Sequence, residues 1–61
     1  MSRLECIQYL IDNGVGGSEW EEAGMWNAVQ EVMGASEEAF EAPPVAVEAW
    51  LDTLIERALS N

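Results

Sequence analysis

Twelve carboxylates, one thiol and no histidine are the groups with which this 61-residue chain could do chemistry. Glu5, Asp12, Glu19, Glu21, Glu22, Glu31, Glu37, Glu38, Glu41, Glu48, Asp52 and Glu56 all fall between residues 4 and 56, a stretch without lysine or arginine. The two cations, Arg3 and Arg57, stand just outside it. A glycosidase-type carboxylate pair needs two acids held across a cleft. A chain this short buries only about 60% of its unfolded surface and barely closes a core, so an enzyme is not expected. Structural zinc is excluded by a single thiol and no imidazole. The segment from Asp12 to Gly17 has a superficial likeness to a calcium loop, and Gly17 fits the glycine position. Gly14 and Gly16, however, stand where oxygen ligands belong, and Ala23 replaces the bidentate glutamate. No cofactor and no metal are expected.

The acids must therefore be read through the elements that carry them. Ser2 and Glu5 form an S-x-x-E capping box. The residues after it place Leu4, Cys6, Ile7, Leu10 and Ile11 on one side at helical spacing, and Gly14 supplies the stop. A helix over about 3–13 follows, with Val15 folding back on its last turn. Ser18 and Glu21 repeat the capping signal after a Gly-rich turn, predicting a second helix over about 19–33 that stops at Gly34. Its apolar arc holds Met25, Trp26, Val29, Val32 and Met33, with Gly24 inside it at a cost of about 1 kcal/mol relative to Ala.

Ser36 is positioned to cap a short helix over about 37–42, anchored by Phe40 and ended by Pro43-Pro44. Pro44 suits the first turn of a last helix over about 44–59. That helix carries Val47, Trp50, Leu51, Leu54, Ile55, Ala58 and Leu59, an arc too wide for one neighbour, so it should be the central element. No segment alternates with period two. The expected fold class is all-α, a compact bundle of three to four short helices forming a single domain over 1–61. Trp26 and Trp50 are by default core residues, and Met25 and Met33 core filler.

The charge of −10 with 49% hydrophobic residues and five aromatics argues for a folded acidic protein, not a disordered one. A second helix with four acids and no base cannot serve as a DNA-reading helix, and an anionic surface is repelled by nucleic acid and by anionic lipid. No apolar run approaches the roughly 18 residues of a membrane span. An acid at position 5 does not suit a signal peptide, and Cys6 is a lone thiol, so a reducing cytoplasm is expected. The remaining class is a binding module for a basic protein surface. Carboxylates four residues apart on a helix lie about 6 Å apart along its axis, comparable to phosphates on a strand, and arginines can pair with either. The candidate partner-binding residues are Glu19, Trp20, Glu21, Glu22, Glu31, Glu37, Glu38 and Glu41. Trp20 lies off the apolar arc and is either the aromatic anchor or packs locally against the glycine turn or Tyr9.

In size, acidity over 19–48, lack of lysine and helical pattern, the chain resembles small phage-encoded host-takeover inhibitors, and in particular anti-CRISPR proteins. Many of these are acidic and some mimic nucleic acid. The resemblance is one of character, carried by no shared motif, and transfers no residue roles. It implies steric blocking of a basic nucleic-acid-binding surface, such as that of a CRISPR effector subunit, in a bacterial cytoplasm. The alternative is an ordinary interaction module, an antitoxin-like adaptor or an obligate homodimer joined through the wide apolar face of the last helix.

Overall fold

The computed structural model describes residues 1–15 and 23–60, with the backbone alone for residues 23–25. Four helices follow in order, α1 Arg3–Asp12, α2 Ala23–Gly34, α3 Glu37–Glu41 and α4 Pro44–Leu59, and no strand occurs among the described residues. The all-α bundle expected from the periodicity is the fold. The radius of gyration is 10.6 Å, against about 10.5 Å for a compact domain of this length. The expected start of the second helix and its Ser18–Glu21 capping box lie outside the described residues, as does the side chain of Met25.

The ends of α1 follow directly from its sequence. The Ser2 hydroxyl accepts from the Glu5 N–H at 3.1 Å, and the Glu5 carboxylate accepts from the Ser2 N–H at 2.8 Å. Two otherwise orphaned backbone donors are satisfied reciprocally. At the other end Gly14 adopts φ +85°. The Val15 N–H donates to the Leu10 carbonyl at 2.8 Å and the Gly14 N–H to that of Ile11 at 3.0 Å. This is a Schellman closure with its apolar contact supplied by Val15, which is fully buried. The helix thus ends at Asp12 with Asn13 as cap, one residue before the expected limit.

Pro44 opens α4 as expected. Ala42, one residue before Pro43, is extended at ψ 158°, so α3 stops at Glu41. Ser36 occupies the cap position of α3 in extended conformation, yet its side chain makes no capping bond. The first turn is held instead through Glu37, which Arg3 grips from α1.

Helices α2 and α4 make the most extensive contact and α1 packs on both, so α4 shares the centre with α2 and is not the single central element expected. Val47, Leu51, Leu54 and Ala58 are buried on α4, in one core with Cys6 and Leu10 of α1, Val15 of the turn after it, and Ala28, Val29 and Val32 of α2, with Phe40 of α3 joining them. Only part of each expected apolar arc is covered. Leu4 is 80% exposed, Met33 59%, Leu59 54% and Trp26 43%, so the expectation that Trp26 and Met33 are core residues is corrected. Trp50 and Ile55 are half-buried against the core. The reason is geometric. In a bundle of three principal helices each helix is covered only where its two neighbours meet, a narrower arc than the sequence supplies on α1 and α2.

Candidate protein-binding surface

The cations decide what the acidic surface can do. Arg3 projects from the first turn of α1 to the far end of α2. Its Nη1 donates to the carbonyls of Val32, Met33 and Ala35 at 2.8, 2.8 and 2.9 Å, and its Nη2 to Glu37 Oε1 at 2.8 Å. The guanidinium lies over the Phe40 ring, 4.7 Å from its centroid. Helix α2 has no basic residue in its own last turn. Arg3 therefore supplies the cation that the orphan carbonyls and the negative end of the helix dipole need. The N-terminal ammonium donates to the Phe40 carbonyl at 3.3 Å beside it.

Arg57 on α4 meets Glu31 on α2, Nη2 to Oε2 at 3.3 Å. The two arginines of the chain are thus matched to Glu37 and Glu31. The net charge of −10 resides on the other ten carboxylates. Two of the expected partner-binding residues, Glu31 and Glu37, are therefore already engaged within the fold. Glu38 and Glu41 are exposed beside Glu37 on α3. Glu19, Trp20, Glu21 and Glu22 lie outside the described residues.

A second acidic feature went unrecognised in the sequence. Glu48, Asp52 and Glu56 recur every fourth residue of α4 and are all exposed, forming a row with about 6 Å between neighbours along the axis. The i, i+4, i+8 spacing is legible in the sequence, on the opposite side of the same helix from its apolar arc. Asp52 accepts a 2.8 Å bond from the Tyr9 hydroxyl, tying α1 to α4. This bond, followed by desolvation and the charges of Asp52 and Glu48, raises the phenol above its ordinary value of 10. The Ser2 backbone and hydroxyl bonds hold Glu5 below the usual carboxylate value. Burial pushes the Cys6 thiol up, which disfavours the thiolate and makes it a core residue of low reactivity.

Among the described residues no group of three potential ligands is arranged to hold a metal ion. No polar side chain is buried there, and no helix is long and apolar enough to cross a membrane. Compared with protein-family models, curated proteins and solved structures, the chain matches none.

Proposed function

We propose that this protein is a non-enzymatic acidic binding protein that occupies a basic, nucleic-acid-binding surface of a bacterial effector complex, in the manner of an anti-CRISPR inhibitor. One observation carries the reading. Both arginines are paired with carboxylates of the same chain, so the other outward carboxylates have no base to balance them. A soluble surface ordinarily mixes both signs. Here the acids also recur at helical spacing, Glu37 with Glu41 on α3 and Glu48, Asp52 and Glu56 on α4. Carboxylates so spaced can pair with arginines set to receive phosphates, and their field speeds encounter with a basic partner. Glu38 and Glu41, the α4 row and the sequence cluster Glu19, Glu21 and Glu22 beside Trp20 are the residues assigned to contact.

The test is retention of bacterial lysate proteins on the immobilised chain at low salt, followed by elution with salt or with added duplex DNA or RNA. Nucleic-acid-binding proteins should be retained and should be released by either competitor. Retained proteins indifferent to both would contradict the reading. Reversing Glu19, Glu21 and Glu22 to Lys tests the cluster beside Trp20, and unchanged retention by that variant would remove those residues from the surface.

A second reading, an interaction module or homodimer, is favoured by the exposure of Leu4, Met33, Val45 and Leu59. Light scattering on the isolated chain separates it, since apolar association persists at high salt.

A further inference from the structure

Beside its carboxylates the fold exposes large apolar side chains on α1 and α2. Arg3 at the start of α1 reaches the carbonyls at the end of α2, so the two helices run antiparallel and Leu4 lies level with Met33. Tyr9 points from α1 to Asp52 of α4, and Glu31 points from α2 to Arg57 of α4. Successive residues turn by about 100° around a helix. From those fixed directions Leu4 and Ile11 fall on the flank of α1 beyond α2, while Trp26 and Met33 fall on the flank of α2 beyond α1. Handedness puts both flanks on the same outer side of the pair. Ile7 and Val29, half-buried and buried, lie between them as the floor. Leu4 is 80%, Met33 59%, Trp26 43% and Ile11 42% exposed, which makes one apolar strip a little over two turns long.

Acids border the strip, and the Arg3 guanidinium at its Leu4–Met33 end is already taken up by the α2 carbonyls and Glu37. Glu5 and Asp12 run along the outer edge of α1, and the exposed carboxylate of Glu37 stands at the Leu4 end. Arg57 is on the other side of α2. We infer that this strip docks an amphipathic helix of a partner protein, apolar along one stripe and carrying Lys or Arg beside it. Such a helix lays i, i+3, i+4 and i+7 anchors into the groove, and its cations meet Glu5 and Asp12. A second copy of this chain is a poorer occupant, because it brings −10 against −10 and four partly exposed side chains fall short of the roughly 800 Å² per partner of a stable interface. The inference rests on the proposed function only for the sign of the partner's charge.

Two synthetic peptides of about 18 residues and identical Lys/Leu composition test it, one with leucines at amphipathic spacing and one scrambled. Binding to the isotope-labelled full chain at low salt is read from amide shifts. The amphipathic peptide should bind at least about tenfold tighter and perturb the amides of Leu4, Ile7, Ile11 and Met33. Leu4→Gln with Ile11→Gln changes no charge, and both sites are exposed, so circular dichroism should be unchanged while the preference for the amphipathic peptide disappears. Equal binding of both peptides would overturn the docking strip while leaving the basic-partner reading standing. Binding of neither at low salt would overturn both. A concentration-dependent dimer dissolved by the two Gln substitutions would assign the strip to a second copy and overturn the proposed occupant.

Discussion

The guanidinium of Arg3 lies 4.7 Å over the ring of Phe40 while its nitrogens bind the last carbonyls of α2 and the first carboxylate of α3. One side chain from the third residue thus closes α2, starts α3 and covers an aromatic of the core. It also ties up one of the two arginines of the chain. The acidity available to a partner follows from this internal use of arginine as much as from the number of acids.

Arg3→Ala should destabilise the domain by about 2–4 kcal/mol, combining lost charge-assisted hydrogen bonds, the helix-end cation and the aromatic contact. The ion pair itself adds little, since Glu37 is largely exposed. Arg3→Lys keeps the charge but not the planar fork, and should recover only part of the loss. Urea unfolding of the three proteins measures this, and an unchanged midpoint for Arg3→Ala would show that α2 does not need the cap.

Salt should stabilise the isolated chain. Ten net negative charges repel across a small surface, and screening relieves them, while the two ion pairs among the described residues, both of modest worth, are weakened. A gain of about 1 kcal/mol, or roughly 5 °C in Tm, is expected between low salt and about 0.5 M NaCl. A falling Tm would mean that the internal pairs outweigh the repulsion.

Tyr9 is the only tyrosine, so its ionisation can be followed by phenolate absorbance. Its folded pKa is raised above 10. A group that holds its proton more tightly when folded stabilises below the unfolded pKa, and that contribution is lost as pH rises through the raised value. The midpoint should therefore lie above 10 in the wild type and move down in Asp52→Asn. Tyr9→Phe should remove this part of the alkaline destabilisation. A wild-type midpoint at or below 10 would show that the Tyr9–Asp52 bond does not persist in solution.

The two glycines that end helices should respond oppositely to alanine. At Gly14, φ is +85° with no side chain within reach of a Cβ, so Gly14→Ala meets only backbone strain, about 1–2 kcal/mol. Gly34 is helical and equally open, so Gly34→Ala should stabilise by about 0.5–1 kcal/mol. Thermal melts of both variants check the pair, and stabilisation by both would remove the case for the Schellman closure.

Much of this was legible in the sequence, for physical reasons that can be named. The capping box, Gly14 and the proline pair are local signals whose partners lie within a few residues, and they set α1 and α4 to within a residue. The apolar arcs gave the correct helices but the wrong cover. Whether Trp26 or Met33 is buried depends on where two neighbours sit, which a helical wheel does not contain. Arg3 was the least legible, because its partners lie 29 to 34 residues away. The one hint was that α2 ends without a base of its own. The carboxylates were legible as a set, but which are matched and which are left outward depends on those same two arginines.

The measurement closest to the central claim compares a retained partner's affinity for the wild type and for Glu38→Gln, Glu41→Gln, Glu48→Gln, Glu56→Gln combined. These side chains are exposed, none is in an ion pair with Arg3 or Arg57, and the exchange preserves their shape. If outward carboxylates bind the basic surface, affinity should fall at least about thirtyfold and lose much of its salt dependence, with circular dichroism unchanged. A correctly folded quadruple variant that binds with wild-type affinity and wild-type salt dependence would contradict the account.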